Sequence, residues 1–528
     1  MPPLVITKES LYKRITELER KHCCNKNQFF DTFAEFPAAG AAGVLYIDKE
    51  TQDIYIWDTL NEEYVLLNHT KTANTVYVDG TYGDDTTGRR ESRDFPFQTF
   101  TQAMSVYEDG DWLKYENSDE AISGTNIFPL LTKYYYDFGN GNITINSGGN
   151  AFIGPQNFTD VLEKNVTIKS SGVFTNNKII GYFRNGEVNL DLNKWVASSY
   201  ALASKGNITI SANELESTTH FPLGFFSGSN KNINVDINKV TITNTNLTGY
   251  TAGIGQYETN GENTDNLNVV MNIDNLIMNT NVGHILSLSG TGGFQNLNSN
   301  YTVNVNNVKQ VSLLYNPLVN KGYQHCLFLL GRTTSIFTNT KFTANFKSIE
   351  SDLPLINLSL ISTYNDCILN FNGNAVIKKG ELIYFTSANT LNNSKLNVQG
   401  NFEVVNPLLD SIYLNNLSLT NNSVFLFDCN YKAASKISLA GLTIDSTSKI
   451  IFKGRYELGA GYFDISGVTG AGADNVYFED CTIVTSGTEC IVSGSAKNVK
   501  ILNVRSNKPV NANVTELVSS ILINANIN

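Results

Sequence analysis

The sequence predicts an all-β protein whose body is a β-solenoid, preceded by a short N-terminal helix and a small three-stranded β-module. Short strands with alternating apolar residues recur from Asn142 to the end of the chain, which is typical of a repeat architecture. Only 16% of the residues are charged, against about 25% in an average globular protein. Asn, Gly, Ser and Thr are abundant between the apolar positions, which suits stacked β-structure better than helices. A β-sandwich would instead show regular hairpin turns.

Residues 1–33 are predicted to form an attachment or oligomerisation segment. Within residues 7–22, Leu11, Ile15 and Leu18 recur at helical spacing, which indicates an amphipathic helix. This apolar stripe is too short to hold a helix in isolation, so it needs a partner. Two alternatives stay open: the helix packs on its own chain, or it docks on copies of itself or on another protein.

Residues 34–72 are predicted to form the small β-module and a linker. The predicted strands are 44–47, 54–57 and 64–67, separated by polar turns, and residues 68–74 are predicted to link the module to the body. Three strands of this length make a marginal sheet that needs a partner.

The module resembles one found near the N-terminus of many bacteriophage fibre and appendage proteins. The resemblance rests on these positions: Phe36-Pro37, Gly40, Gly43, Leu45-Tyr46, Asp48, Ile54-Tyr55, Trp57-Asp58 and Tyr64. In those proteins the module lies between the point of attachment to the virion and the distal body.

Residues 73–528 are predicted to form the body, with an entry cap at 75–106. The cap begins with the strand Val76–Val78 and a Gly- and Asp-rich turn. Thr99 can then cap a short helix whose apolar face is Phe100, Ala103 and Met104. This segment resembles the entry of right-handed parallel β-helix proteins of the pectate-lyase-like superfamily. The resemblance implies that the helix covers the open end of the solenoid.

The predicted rungs begin with short strands in which Ile, Val and Leu point inward. They are residues 142–145, 165–168, 187–190, 207–210, 232–235, 268–271, 302–305, 367–370, 395–398, 436–439, 475–478 and 498–501. A second strand is expected after a break, as at 240–242, 276–278 and 376–377. Asn is expected at the bends, because it tolerates left-handed geometry and its amide can stack on the Asn of the next rung. Apolar residues continue almost to the last position, so another subunit is expected to cover the final rung.

Residues 107–140 are predicted to form an acidic loop that interrupts the first rungs. The clustered carboxylates make a calcium site conceivable, although their order fits no calcium-loop motif. A solvated insertion is the alternative.

Catalytic candidates are few, and no cofactor is expected. A glycosidase needs two facing carboxylates, and the pairs considered are Glu350 with Asp352, Asp366 with Asp428, and Glu479 with Asp480. The five histidines, His22, His69, His220, His284 and His325, show no shared rung spacing. The seven cysteines lack metal-ligand spacing, so buried reduced thiols are expected.

The net charge of −11, without a basic run, argues against nucleic-acid binding. No run of about 18 apolar residues is present, so membrane insertion is not expected. No secretion signal precedes the helix, which fits synthesis in a bacterial cytoplasm.

Together, these features predict a structural virion appendage, a phage head or tail fibre. Its N-terminus would bind capsid or tail proteins, and a homotrimer of β-helices would contact the host surface, with a surface glycan as a candidate ligand. The alternatives are a tailspike-type depolymerase or polysaccharide lyase, and a bacterial adhesin.

Overall fold

The computed structural model describes most of the body and part of the N-terminal region. The described residues are 27–49, 54–60, 62–66, 74–116, 118–123, 131–146, 152–153, 163–177, 180–183, 186–197, 202–204, 206–218, 223–226, 231–244, 252–253, 256–258, 264–281, 283–288, 294–318, 325–331, 334–358, 361–385, 387–518 and 521–524.

The N-terminal region forms a four-stranded sheet. Its strands are, in spatial order, Asn27–Phe30, Leu45–Asp48, Ile54–Asp58 and Glu63–Leu66. The last three are the predicted strands and pair antiparallel. The first is an additional strand that pairs parallel to Leu45–Asp48 and lies before residue 34, where the module was predicted to begin. A 3-10 turn follows it at Phe33–Glu35.

The body is a parallel β-helix, which confirms the predicted all-β fold. Each rung contributes one long strand to a bent sheet and short strands to two further sheets. One complete turn runs through Lys341–Ser351, Ile356–Asn357 and Ser362–Asn365, and returns to the bent sheet at Ile368–Ile377. Each of these strands pairs parallel with its counterpart in the next rung.

The sheets have the following strands. The bent sheet contains Thr75–Val78, Trp112–Tyr115, Glu120–Ser123, Lys133–Asp137, Ile143–Asn146, Asn165–Asn176, Glu187–Ala197, Asn207–Ser217, Asn232–Asn244, Asn268–Thr280, Asn300–Val311, Lys341–Ser351, Ile368–Ile377, Lys395–Val404, Val424–Ala433, Lys449–Glu457, Val476–Val484, Lys497–Leu502, Val504–Ser506, Val514–Val518 and Ile521–Ile523. The second sheet contains Tyr182–Phe183, Leu202–Ser204, Leu223–Phe226, Gln256–Glu258, Leu286–Leu288, Phe328–Leu330, Ile356–Asn357, Ile383–Phe385, Ile412–Leu414, Ile437–Ser438, Phe463–Asp464 and Ile491–Val492. The third sheet contains Thr264–Asp265, Phe294–Leu297, Ser335–Thr338, Ser362–Asn365, Asn389–Asn392, Leu417–Thr420 and Leu442–Ile444. A small extra pair joins Ala252–Gly253 to Gly283–His284.

The long strands bend in the middle but are continuous, which corrects the prediction of two strands separated by a break. In the first rungs the two arms are separate strands: Lys133–Asp137 and Ile143–Asn146 pair with the two halves of Asn165–Asn176. The strands from Asn165–Asn176 to Val476–Val484 run through the bend, whereas the arms are separate again at the end, as in Lys497–Leu502 and Val504–Ser506. Gly400 lies at the bend with φ of +132°, and a Cβ on it would lie 1.8 Å from the carbonyl oxygen of Gly373, so only glycine fits.

Asn side chains stack along the bend and along one corner, as predicted. At the bend, Asn430 Nδ2 donates to Asn401 Oδ1 at 2.9 Å, and Asn401 donates in turn to Asn374 at 2.6 Å. Equivalent Asn residues lie 20 to 29 residues apart over much of the body. The separation rises to between 32 and 41 residues where loops intervene.

The inward-facing side chains form one continuous core that runs from Val76 in the first rung to Val514 near the last. Phe100, Ala103 and Met104 of the helix Phe100–Ser105 belong to it and are buried. Thr99 caps this helix as predicted, since its side chain accepts a hydrogen bond from the Gln102 N–H.

The predicted rung pattern was wrong in two places. Residues 142–145 do not start a rung, because Ile143–Asn146 pairs with the second half of the strand Asn165–Asn176. Residues 436–439 do not start a rung but lie in the second sheet, as Ile437–Ser438. Three long strands were not predicted: Lys341–Ser351, Val424–Ala433 and Lys449–Glu457.

Candidate functional site

The predicted attachment residues Leu11, Ile15 and Leu18 lie outside the described residues. The description of the chain begins at the strand Asn27–Phe30, which forms one edge of the N-terminal sheet.

The residues that carry the resemblance to phage fibres build the interior of the N-terminal module. Phe33 and Phe36 lie on one face of the sheet, with ring centroids 4.8 Å from Tyr55 and 5.6 Å from Tyr46, respectively. Tyr64 packs 5.0 Å from Phe36 and donates its hydroxyl to the Pro37 carbonyl at 2.9 Å. Partial burial beside Tyr46 raises the pKa of Tyr64 to about 12. These rings therefore hold the loop 31–43 over the sheet.

The described residues of the acidic segment 107–140 do not form a single loop, which corrects the prediction. The segment contains three strands of the bent sheet: Trp112–Tyr115, Glu120–Ser123 and Lys133–Asp137. The sequence pattern obscured them because acidic residues stand at the strand ends.

The carboxylates of this segment bond to the protein itself. Arg90 binds both oxygens of Asp111 at 2.8 Å and also contacts Glu108 at 2.9 Å. Glu120 accepts from the Phe100 N–H at 3.1 Å, which ties the entry helix to the first rungs. Similar bonds join Asp109 to Thr132, Glu116 to Arg93 and Asp119 to Asn142. The described residues contain no group of three or more His, Cys, Asp or Glu side chains able to hold a metal ion, and we propose no calcium site.

The candidate carboxylate pairs do not form facing acid–base pairs. Glu350 forms an exposed ion pair with Lys378, whereas Asp352 is buried and binds Lys379 at 2.8 Å. Glu479 binds Lys453 at 3.0 Å, and Asp480 accepts from Asn503 at 2.9 Å.

Asp366 and Asp428 each precede a cysteine, a pattern that predicted corresponding corners of the rungs. The structure contradicts this prediction. Asp366 stands at a left-handed corner with φ of 55°, whereas Asp428 is an exposed residue within the strand Val424–Ala433. A shared Asp-Cys dipeptide was therefore not evidence of a shared position in the rung.

Asp352 belongs to a buried polar cluster that anchors the turn 312–318. Its carboxylate accepts from the Ser312 N–H at 2.9 Å, and Lys379 Nζ donates to the Ser312 carbonyl at 2.6 Å. Asn281 Oδ1 accepts from both the Ser312 hydroxyl and the Leu314 N–H at 2.9 Å. The anchored turn leaves Leu313, Leu314 and Leu318 largely exposed.

Two histidines lie in neighbouring rungs beside this cluster, which the sequence did not indicate. His325 pairs with Gly283 in the neighbouring rung, next to His284. Nδ1 of His284 lies 2.7 Å from the Cys326 carbonyl oxygen. Nδ1 of His325 lies 3.0 Å from the Asn281 carbonyl oxygen. Burial lowers the pKa of His325. A loop between the two rungs separates these histidines by about forty residues, so no regular spacing relates them. His22, His69 and His220 lie outside the described residues.

The five cysteines in the described residues are buried and unbridged, as predicted: Cys326, Cys367, Cys429, Cys481 and Cys490. Burial raises the pKa of Cys367 and of Cys429 to about 12. Such thiols stay protonated and are poor nucleophiles.

A shallow groove of about 330 Å³ lies on the outer face of the bent sheet, beside the bend. The amide column of Asn374, Asn401 and Asn430 forms part of its lining. Its lining also contains two ion pairs, Lys432 with Glu403 at 2.9 Å and Arg455 with Glu457 at 2.7 Å. Apolar residues, including Val376 and Phe402, line the remainder. The groove can therefore offer hydrogen bonds to a polar ligand, while its two carboxylates are engaged with cations.

Comparisons with protein-family models, with curated proteins and with solved structures find no significant match to this chain. Among the described residues, no helix is long and apolar enough to cross a membrane.

Proposed function

We propose that this chain is a structural virion appendage, a head or tail fibre of a bacteriophage. It attaches to capsid or tail proteins through its N-terminal region and presents a homotrimer of β-helices to the host surface. It is made in the cytoplasm of the host bacterium and functions on the virion.

One observation carries the proposal: a small module with the phage-fibre pattern precedes a parallel β-helix. In the module, Phe36, Tyr46, Tyr55 and Tyr64 of that pattern form the aromatic cluster that folds the loop over the sheet. The pattern therefore reflects a folded unit with its own packing, which is what a reusable attachment module requires.

Apolar side chains on the outside of the body support the trimer. Leu517, Leu522 and Ile523 in the last described rung are 47%, 57% and 54% exposed. The anchored turn 312–318 presents three further leucines. Exposed apolar clusters of this kind mark interaction surfaces in soluble proteins.

No specific observation favours the depolymerase alternative. The carboxylates considered for catalysis are mostly paired with lysine, bonded to asparagine or placed at a corner. The groove beside the bend offers ion-paired carboxylates, whereas glycoside hydrolysis needs one protonated and one free carboxyl group facing each other.

Deletion of residues 1–26 in the phage tests the proposal. This boundary keeps the strand Asn27–Phe30, which a deletion of 1–33 would remove from the sheet. We expect particles that lack the protein, while the purified variant keeps the β-sheet circular dichroism of the full chain. Normal incorporation of the variant into particles would contradict attachment through this region.

A matched substitution pair sharpens this test. Leu11→Asp, Ile15→Asp and Leu18→Asp together should prevent incorporation. Lys13→Asp, on the opposite side of the predicted helix, should not. Equal incorporation of the two variants would contradict a role for the apolar stripe.

A further inference from the structure

The outer face of the bent sheet carries a row of lysines on its first arm, the part of each long strand that precedes the bend. Lys341, Lys395 and Lys449 lie 54 residues apart in the sequence. The strand register aligns them through Ile368 and Val424, which occupy the same position in the rungs between. Neighbouring rungs are about 4.8 Å apart, so successive lysines of this row lie about 10 Å apart along the body.

The three lysines lack an acidic partner within the part of the chain that the structure describes. The salt bridges of the body include none of them. Two are exposed, and the third, Lys449, is half-buried with its Nζ 5.6 Å from the ring centroid of Tyr477. Lysines after the bend are paired instead, as Lys432 is with Glu403 at 2.9 Å. The lysine row therefore presents cations that are not neutralised by the protein.

The row of outward side chains next to the lysine row also contains no carboxylate. In register, it consists of Thr302, Thr343, Asn370, Asn397, Leu426, Ile451, Tyr477 and Lys500. Asn397 Nδ2 donates to Asn370 Oδ1 at 2.8 Å, and Lys500 Nζ lies 4.7 Å from the ring centroid of Tyr477. The two rows together form a strip of cations, amides and apolar surface, on a protein whose net charge is −11.

Carboxylates border this strip on both sides. Asp428 and Glu479 lie one row nearer the bend, beside Lys453. Asp366 and Asp445 lie at the corner before the strands, where they accept hydrogen bonds from neighbouring residues. Like charges repel, so an anionic chain on the strip is repelled at both borders and lies along the axis of the body.

We propose that this strip binds an acidic polysaccharide whose carboxylates recur at about 10 Å, as in a chain with one uronic acid in every second sugar. Its carboxylates pair with the lysines, while the sugars between them lie against Ile368, Val424 and Tyr477. A tyrosine offers both an apolar ring and a polar hydroxyl to such a ligand. The proposal names the class of host-surface ligand and therefore rests on the proposed function.

The spacing of the lysines favours a polysaccharide over a nucleic acid. Phosphates of one DNA strand recur about every 3.4 Å along the helix axis, about three times as densely as the lysines. A sparse row of cations also differs from the dense basic clusters that bind anionic membranes. Exposed ion pairs are individually weak, so binding depends on several lysines that engage one chain at once.

Calorimetric titration of the full-length protein with a hyaluronan octasaccharide tests the proposal, because this chain has one carboxylate in every second sugar. We expect saturable binding at an ionic strength of about 0.1 M. Binding should be lost at about 1 M, where the screening length falls from about 10 Å to about 3 Å. Lys341→Gln, Lys395→Gln and Lys449→Gln together should weaken binding by about tenfold or more.

A second triple variant is the matched control, since it removes the same charge from lysines that are ion-paired with glutamates. Its binding should stay within about twofold of the wild type, and both variants should keep the circular dichroism of the wild-type protein. The control substitutions are Lys239→Gln, Lys378→Gln and Lys432→Gln.

Four results would overturn the proposal. They are no binding by the wild-type protein, equal weakening in the two triple variants, equally tight binding of neutral dextran, and tighter binding of single-stranded DNA or of phosphatidylglycerol vesicles. The titration involves no particles, so failure here is distinguishable from failure of the proposed attachment to the virion.

Discussion

At the scale of single residues, the solenoid depends on side chains that accept left-handed backbone geometry at one corner. Asn339, Asp366 and Asn393 have φ of 48°, 55° and 47° in three successive rungs. Their side chains also bond along the stack: Asn393 Nδ2 donates to Asp366 Oδ1 at 2.5 Å. The corner thus combines a conformational requirement with a hydrogen-bond ladder.

Substitution of Asn393 separates these two contributions. Asn393→Ala should destabilise the protein by about 2 kcal/mol. Left-handed geometry is unfavourable for alanine by roughly 1–2 kcal/mol, and alanine cannot form the side-chain hydrogen bond to Asp366. Asn393→Gly should destabilise the protein less, since glycine adopts left-handed geometry without strain and loses only the side-chain hydrogen bond. Urea unfolding midpoints measure both. Equal losses for alanine and glycine would contradict a conformational role.

His325 makes stability depend on pH. Burial lowers its pKa below the ordinary value of 6.5, while its bond to the Asn281 carbonyl opposes this shift. The unfolded chain therefore binds a proton first as the pH falls. The contribution to stability is present above about pH 6.5 and is lost as the pH falls through the lower folded-state pKa. Tyr315 faces the ring, and Asp352, Lys379 and Glu381 lie in the same region.

Urea midpoints at pH 7.5 and pH 5.0 test this dependence. The wild-type protein should lose more stability between these pH values than His325→Gln, which cannot titrate. The comparison removes the contributions of the other acids and histidines. The same loss in both proteins would show that His325 is not responsible.

At the scale of elements, the cap of the entry helix Phe100–Ser105 is predicted from local sequence and also connects distant parts of the chain. Thr99 accepts a hydrogen bond from the Gln102 N–H at 3.2 Å and donates to Asp85 at 2.8 Å. The helix it caps places Phe100 in the core of the first rungs, 6.0 Å from Tyr136. The cap therefore connects the turn, the helix and the solenoid.

Thr99→Ala should lower the free energy of unfolding by about 1–2 kcal/mol, because it removes a helix cap and leaves Asp85 without one of its donors. Thr101→Ala is the matched control at an exposed position of the same helix and should change it by less than about 0.5 kcal/mol. Chemical denaturation measures both variants. Equal effects at the two positions would contradict the capping role.

The same element shows what could be predicted from sequence. The helix, its cap and its buried face follow from residues within one turn of each other, so Thr99, Phe100 and Met104 were assigned correctly. The order of the rungs was harder, because rung lengths vary and a strand can pass through the bend without a break. Residues 436–439 alternate like a rung start although they lie in the second sheet.

The candidate sites were less predictable than the fold. The buried polar cluster around Asp352 includes Ser312 and Asn281, which lie 40 and 71 residues earlier in the chain. Only the stacking of rungs brings these residues together. Stacking of the rungs also places His284 and His325 in neighbouring rungs. The attachment residues Leu11, Ile15 and Leu18 stay a prediction.

At the scale of the whole molecule, the body has one continuous core from the first rung to the last, and its outer faces carry amide columns and ion pairs. This division gives a stiff rod with a polar surface, which suits an appendage exposed on a particle. The exposed leucines at the turn 312–318 and in the last described rung are exceptions, as are Leu408 and Ile361. In our account, neighbouring subunits cover such positions.

Sedimentation equilibrium of the full-length protein tests this account most directly. A homotrimer predicts a solution mass of three times the 58.2 kDa chain mass, independent of loading concentration in the micromolar range. A mass of 58.2 kDa under the same conditions would contradict the trimeric fibre. It would then favour a free-standing carbohydrate-active protein.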